Sequence, residues 1–510
     1  MKTKAIKTIG ALIVFVMMIA VVPTMAYAES DITVDNNDTS NSATALSSKE
    51  AVTGVISSKE DVDFYQYTVD VTGYFYFTFK NLSTKEANWN ITIYDSYLNV
   101  LDTWKSRSFT EDSYTYNFAK GTVIYFKVEY YSYGEAVDKE YSISVNATDD
   151  MSWEQEYNDT KDTATVLNSK SAKHGNLYTK GDVDFYKYTV DVSGYFNFTF
   201  KNLATKEGNW YLTIYDSSLN VLDSWKSRNF TENSYTYNFK KGTVLYFKVE
   251  YYSYGEAVGK EYSIEVNAKQ DSSWEQENND TKKSATTIKS NKEIHGNLYI
   301  RDDVDYYKYT VDVSGYFNFI FKNLTTEAAN WNLTIYDSSL NKIDSWKSSN
   351  FVEKSTTYNF KKGTILYFKV EYYSYGEATN KEYSLTVQAK NSASWEQENN
   401  NSYSKADTIK TNTNKYGNLY SINDIDYYSY TATKTGTLKT TFKFDADNVG
   451  RGWNVTIYDS AKKVISTVPY VTADKTISFK AKKGNKYYVV VKPASSYDIP
   501  VNITYTLKIK

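Results

Sequence analysis

The hydrophobic pattern along this chain has a period of two. Tyr65, Tyr67, Val69 and Val71 alternate with Phe64, Gln66, Thr68 and Asp70, and Phe75, Phe77 and Phe79 alternate with Tyr74, Tyr76, Thr78 and Lys80. The same beat returns at Trp89/Ile91/Ile93, Tyr114/Tyr116/Phe118, Ile124/Phe126/Val128 and Tyr141/Ile143/Val145. Each set puts an apolar row on one face and a polar or tyrosine row on the other, as half-buried antiparallel strands require. Turn residues separate the runs at Thr72-Gly73, Asp95-Ser96 and Lys120-Gly121. Seven or eight such strands in about 120 residues, with no helical stretch, predict a β-sandwich.

The whole pattern then repeats. Trp153, Trp274 and Trp395 each open Trp-Glu-Gln-Glu and lie 121 residues apart, and Asp63, Asp184, Asp305 and Asp426 keep that spacing, as do Gly73, Gly194, Gly315 and Gly436. A period this long belongs to whole domains rather than to solenoid turns. The expected fold class is all-β, with four tandem β-sandwich repeats at 29–150, 151–271, 272–392 and 393–510. The fourth is diverged, as a terminating unit would be. The joints, such as 267–273, lack Pro and Gly and suit either a polar tether or an ordered strap.

Residues 1–28 have the pattern of a secretory signal peptide. Lys2, Lys4 and Lys7 precede the apolar run 9–22, and Ala26-Tyr27-Ala28 forms a small-x-small cleavage site. Fourteen apolar residues are too few to span a bilayer. The expectation is a secreted, extracellular protein without a membrane anchor. The 510 residues carry 58 Lys+Arg against 61 Asp+Glu, a net charge of -3 that moves nearer -6 once the leader is removed. That balance argues against nucleic acid as a partner. With 21 Gly and 4 Pro, collagen-like and Pro/Gly-rich disordered classes are excluded. Cysteine is absent, which excludes disulfides, thiolate zinc sites and thiol nucleophiles, and suits a bacterial cell surface or medium.

The candidate chemistry lies at the start of each repeat. Repeat 2 opens Glu154-Gln155-Glu156-Tyr157-Asn158-Asp159-Thr160, and repeat 3 opens Glu275-Gln276-Glu277-Asn278-Asn279-Asp280-Thr281. In extended chain, Glu154, Glu156 and Asn158 point the same way. About 25 residues on, a second acidic knot, Asp182-Val183-Asp184, precedes a strand, with counterparts at Asp61/Asp63 and Asp424/Asp426. Like charges this close require a neutralising partner. Glu, Asn and Asp oxygens without His or Cys favour Ca2+ over zinc. The alternative is a solvated strap in which Asp159 caps a turn.

Trp-Glu-Gln-Glu-x-Asn-Asp-Thr, followed by Gly181-Asp182-Val183-Asp184-Phe185-Tyr186-Lys187-Tyr188 and Gly194-Tyr195, resembles the bacterial pre-peptidase C-terminal domain, a family related to the collagen-binding domains of clostridial collagenases. The resemblance covers all four repeats. It implies a jelly-roll-like sandwich with calcium held between the opening strap and the loop before the Asp-Tyr strand. The implied ligands are Glu154, Glu156, Asn158, Asp159 and Asp184 in repeat 2, and Glu275, Glu277, Asn279, Asp280, Asp302 and Asp305 in repeat 3. The family's first loop acid stands three before the second, a place held by Asp302 and by Glu60. Elsewhere Gly181 and Asn423 stand there, leaving Asp182 and Asp424 to substitute. Repeat 1 keeps Asp35, Asn37 and Asp38 but has Thr33 for the first Glu. Repeat 4 keeps Glu396, Glu398 and Asn400 but has Asn401 for the last Asp.

A second feature is tyrosine. The runs 130–136, 251–257 and 372–378 repeat almost letter for letter. With Ile124, Phe126 and Val128 turned to the core, Tyr125, Tyr131 and Tyr133 point outward, as do Tyr246, Tyr252, Tyr254, Tyr367, Tyr373 and Tyr375 in the next repeats. Such a row suits a ligand-binding face for fibres or sugars, and Trp104, Trp225 and Trp346 extend it. The competing reading packs each tyrosine on its cross-strand neighbour. The collagen-binding relatives carry outward aromatics on the equivalent strand. Here Tyr131, Tyr252 and Tyr373 match one of them, while Glu129, Glu250 and Glu371 replace another, which speaks against collagen. The two histidines, His174 and His295, occupy one position in repeats 2 and 3 and are expected as surface turn residues, not as a catalytic base. Together these features predict a secreted, non-catalytic array binding an extracellular fibre, polysaccharide or cell-wall material. The alternatives are a self-assembling surface-layer or matrix protein and, third, a secreted hydrolase.

Overall fold

The computed structural model describes residues 36–510 except 86, 107, 132–134, 207, 228, 253–255, 328, 349, 374–376, 445–450, 498–499 and 501–502. The expected signal peptide, Asp35, Tyr133, Tyr254 and Tyr375 lie outside the described residues. No helix among the described residues is long and apolar enough to cross a membrane.

The described chain is all-β. It has 36 strands, nine in each repeat, and one short 3-10 turn at Ser40–Ser42. They form four pairs of sheets, one pair per repeat. In repeat 2 the first sheet runs Thr165–Leu167, Val183–Thr189, Val244–Tyr251, Trp210–Tyr215 and Val221–Lys226, and the second runs Lys173–Asn176, Glu261–Gln270, Gly194–Asn202 and Thr231–Asn233. All pairings are antiparallel except the first, where Thr165–Leu167 lies parallel to its neighbour. The alternating rows meet between the sheets. Phe196, Phe198 and Phe200 face Trp210, Leu212, Ile214 and Phe247, all at most 1% exposed. Phe200 sits edge-on to Trp210 at 5.2 Å and Phe198 lies 5.3 Å from Phe247. Burying each such ring stabilises the fold by roughly 1.5–3 kcal/mol, which makes the aromatic rows its main support.

One expected strand is different. Tyr114, Tyr116 and Phe118 form no strand; Tyr116 and Phe118 make only isolated bridges, to Phe75 and Glu156, and Tyr114 is 40% exposed. The same segment behaves alike in the next repeats, where Phe239 bridges to Glu277 and Phe360 to Glu398. Its partners are a strand of its own repeat, through Tyr116 and Phe75, and the opening strap of the following repeat, through Phe118 and Glu156.

The chain packs as two compact units, Met1–Asp70 with Tyr76–Ser113 and Gly121–Ala147, and Val71–Phe75 with Tyr114–Lys120 and Thr148–Lys510. Within the second, the joints are ordered straps. Trp274 lies 4.8 Å from the ring of Tyr195, and Gln276 Nε2 donates to the Gly194 carbonyl at 3.0 Å. Glu277 N donates to the Asn238 carbonyl at 3.0 Å, and Lys240 N returns a bond to the Glu277 carbonyl at 3.2 Å. Trp395, Gln397 and Glu398 repeat these contacts on Tyr316, Gly315 and Asn359. Glycine is required at 194, because a Cβ there would collide with the backbone of Lys269 and Asp271.

Candidate metal centre

The strap of repeat 2 lies against the strand Lys173–Asn176, with Glu154 N bonded to the His174 carbonyl at 2.9 Å. Its extended course turns Glu154, Glu156 and Asn158 to one side, all at most 3% exposed. Asp182 and Asp184, two residues apart at the start of Val183–Thr189, face the same point and are 3% and 0% exposed. Carboxylate oxygens of Glu154, Glu156 and Asp184 lie within 4.8 Å of one another, as do those of Glu156, Asp159 and Asp182, so Glu156 belongs to both triads. Repeat 3 reproduces both triads with Glu275, Glu277 and Asp305, and with Glu277, Asp280 and Asp303. Repeat 4 has Glu396, Glu398 and Asp426.

Glu154 is fully engaged. It accepts bonds from Asn158 Nδ2 at 2.9 Å, Asn176 N at 3.1 Å, Asn117 Nδ2 at 3.1 Å and the Tyr186 hydroxyl. Gly175 leaves room for it, since a Cβ there would overlap its carboxylate. The other groups are half-engaged. Glu156 accepts Asn158 N at 3.3 Å, Asp182 accepts Tyr178 N at 2.8 Å, and Asp184 accepts the Tyr262 hydroxyl. In each the second oxygen, Glu156 Oε1, Asp182 Oδ1 or Asp184 Oδ1, is buried without a partner, and so is Asn158 Oδ1. A buried polar atom left in this state costs about 1–3 kcal/mol. Four such oxygens recur in each of three repeats (Glu277, Asn279, Asp303 and Asp305, then Glu398, Asn400, Asp424 and Asp426), a set of donors that could hold a metal ion.

The electrostatics agree. Burial pushes the Glu154 carboxyl up to about 7. Burial, then repulsion from Asp182, Glu154 and Asp159, holds Glu156 well above the ordinary carboxylate value. Asp184 is raised likewise, by burial and then by Glu154, Asp182 and Glu156. Among the described residues, no ion pair reaches these carboxylates. A hard divalent cation fits such a site: oxygen donors only, high negative charge and free lone pairs.

Two features of the site lie outside the residues expected from the sequence. Asn117, Asn238 and Asn359 come from the repeat before, and each donates to the first glutamate of the following strap, at 3.1, 3.4 and 3.0 Å. The first glutamate of each candidate site in repeats 2–4 is thus held by an asparagine from the repeat before, and the signal was the recurrent Tyr-Asn-Phe at 116–118, 237–239 and 358–360. Asp303 is the second, and it replaces the expected Asp302. Asp302 is exposed and outside the triads, whereas Asp303 is 3% exposed with Oδ2 bonded to Tyr299 N at 2.8 Å. The physical reason is strand alternation: 303 and 305 share a face and 302 does not.

Repeat 1 is thinner. Asn37 and Asp63 are buried, and Asp63 accepts the Tyr141 hydroxyl and is pushed up to about 7, chiefly by burial. Asp61 instead bonds Ser57 Oγ at 2.8 Å, and Asp38 and Glu60 are exposed. No triad of acids forms among the described residues of repeat 1. In repeat 4, Asn401 in place of an acid removes the second triad.

The expected outward tyrosines are largely covered. Tyr246 and Tyr367 are 8% and 6% exposed, and Tyr125, Tyr131, Tyr252 and Tyr373 are half-buried. Lys105, Lys226 and Lys347 lie over the last three rings at 3.9, 3.9 and 3.4 Å from the centroids. Trp104, Trp225 and Trp346 turn toward the core, edge-on to Phe126, Phe247 and Phe368 at 6.1, 5.9 and 5.9 Å. His174 sits on a strand rather than in a turn, 5.9 Å from Trp153 and paired with Glu261 at 2.6 Å. His295 repeats this with Trp274 and Glu382.

No family model and no curated protein matches the chain. Among solved structures, it is similar to the pre-peptidase C-terminal domain of a collagenase from Bacillus anthracis, at 21% identity and a TM-score of 0.18, over 21% of this chain and 94% of that one. It is also similar to the tandem CBM51 modules of a family 98 glycoside hydrolase from Streptococcus pneumoniae, at 7% identity and a TM-score of 0.15, over 43% of this chain and 84% of that one. A third is the CBM22 tandem of a Paenibacillus barcinonensis protein, at 11% identity and a TM-score of 0.14, over 39% and 80%.

Proposed function

We propose that this chain is a secreted, non-catalytic array of β-sandwich modules that hold Ca2+ at the straps of repeats 2–4 and bind an extracellular polymer multivalently. The observation that carries the reading is the set of buried, unpartnered oxygens of Glu156, Asn158, Asp182 and Asp184, repeated in the next two repeats. Calcium accepts six to eight oxygens in flexible geometry, which suits carboxylates and amide oxygens drawn from a strap and a loop. Bound there, it would supply charge neutralisation and a cross-link. Glu156 and Asp184 would anchor it, while Glu154, tied to its asparagines and tyrosine, orients the strap. Because Asn117, Asn238 and Asn359 bridge to these straps, cation binding would stiffen the array.

A non-catalytic role is supported by what the acids and histidines do. The acids serve the straps, and each histidine stacks on a strap tryptophan and pairs with a glutamate. Repetition favours binding, since linked weak sites gain avidity through effective concentration. Calorimetric titration of chelator-stripped protein tests the metal half: calcium uptake by at least three sites is expected, with a rise in melting temperature by mass action. Absence of uptake overturns it. Pull-down on collagen, chitin, cellulose and cell-wall material, with and without chelator, tests the polymer half, and retention on none overturns that.

A further inference from the structure

We propose that a groove beside the metal centre of repeat 3 is a subsite for a sugar ring carrying an anionic group, within an acidic extracellular polysaccharide; this rests on the proposed role of the chain as a polymer-binding array. The groove is open, encloses about 650 Å³, and lies on the outer face of the first sheet. Its floor is formed by Tyr306, on the strand Val304–Thr310, and by Tyr367, on the paired strand Ile365–Tyr372, with Leu340 closing one end. Lys282 and Lys283 from the strap and Lys308 from the floor strand rim it. Lys282 Nζ lies 5.4 Å from the Tyr367 centroid and also donates to the Ser338 carbonyl, so the open part of the floor is Tyr306 with Leu340. The neighbouring Lys369 pairs with Glu371 at 2.5 Å, and its Nζ stands 5.9 Å from the Tyr306 centroid at the edge of that floor. The one acid in the lining is Asp280, a member of the second triad, which a bound cation would neutralise.

Repeat 4 reveals what fits this place. Tyr403, 121 residues after Lys282, fills the equivalent groove with its own ring. Its centroid lies 4.7 Å from Tyr427 and 4.9 Å from Tyr488, the counterparts of Tyr306 and Tyr367, and 5.8 Å from Tyr458. Lys462 Nζ stands 5.0 Å from that ring. The floor therefore accepts a six-membered ring with a cation beside it. In repeat 3 the plug is replaced by a lysine, which leaves the ring position open and its rim cationic. The full set of three lysines is found in repeat 3: repeat 2 keeps Lys161 and Lys187 but has Asp162 for Lys283, and Ser40, Asn41 and Gln66 stand for all three in repeat 1. Apolar pyranose faces pack on tyrosine rings, and lysine ammonium groups are compact point charges for a carboxylate or phosphate substituent.

Affinity electrophoresis of the full-length protein in saturating calcium tests the assignment, with polygalacturonate as the carboxylate probe, phosphomannan as the phosphate probe and dextran as the neutral one. Retardation by at least one anionic polymer, weakening with salt, is expected, and which of the two retards the protein identifies the anion. Lys282→Ala/Lys283→Ala/Lys308→Ala together should weaken that binding at least tenfold. Lys282→Tyr, which copies the plug of repeat 4, should do the same with calcium uptake and melting temperature unchanged. Equal retardation by dextran, or full binding by the Lys282→Tyr protein, overturns the subsite. Retention on a neutral polymer alone would also overturn it while leaving the binding array intact, and loss of all polymer binding would remove the array's polymer half as well.

Discussion

Glu277→Gln probes the metal centre at its most informative point, because this carboxylate belongs to both oxygen triads of repeat 3. Burial, then repulsion from Glu275, raises its carboxyl well above the ordinary value, so the metal-free fold favours its neutral form over the charged one. Glutamine preserves its size and the acceptor for Asn279 N at 3.2 Å. Metal-free stability should therefore change by less than ~1 kcal/mol. The metal-bound state is different, since the substitution replaces a charged ligand shared by two triads with a neutral one. A site filled at a hundredfold excess over its Kd contributes about 2.7 kcal/mol, or roughly 10 °C in a domain of this size. Calorimetric scans in chelator and in millimolar calcium, with bound metal counted, separate the two states. The chelator scans of wild type and variant should coincide, the calcium-induced rise should vanish for the transition of repeat 3, and the metal count should fall. A variant that keeps the full calcium shift, or that melts as much lower in chelator as in calcium, would refute the reasoning.

Asn359→Ala removes the donor that repeat 3 extends to Glu396 at 3.0 Å; a loss of about 1–3 kcal/mol in denaturant unfolding is expected, together with weaker metal uptake at repeat 4. Trp274→Ala strips the strap from Tyr195 and His295 and should cost about 3 kcal/mol, with faster protease cleavage near residue 272 as its local signature. Acidity gives a signed test. Burial lifts Glu154 to about 7, Asp182 to about 8 and Asp303 to about 9, so the folded metal-free protein binds more protons than the unfolded chain above the ordinary carboxylate range. Its melting temperature in chelator should fall as pH rises from about 5 to 8, while calcium affinity rises because binding releases those protons. A metal-free melting temperature that climbs over that interval would contradict the assignment.

Much of this was legible in the residues. Alternation at 64–80 and its counterparts fixes which side of each strand is buried, and a period of 121 residues fixes how often the unit recurs. The i, i+2, i+4 spacing of Glu154, Glu156 and Asn158 was enough to gather them, because an extended strap has no other way to turn them. The same periodicity misled at Tyr114/Tyr116/Phe118. A two-residue beat states which face is apolar but not what the segment pairs with, and here the pairing is only two isolated bridges, to Phe75 of its own repeat and to Glu156 of the next strap. Likewise Tyr246 and Tyr367, on the outward face of their strands, are covered by side chains that no local pattern announces.

By itself, then, the sequence determined the sandwich class, the fourfold recurrence and the oxygen-rich straps, since these depend on local spacing and composition. Tertiary structure decided which acids meet and which asparagines hold the first glutamate: Asp303 rather than Asp302, and Asn117, Asn238 and Asn359 across the joints. Those pairings link residues 37 apart in chain through two different sandwiches. They arise from how one repeat seats on the next, a geometry that exists only when the whole surface of both has formed.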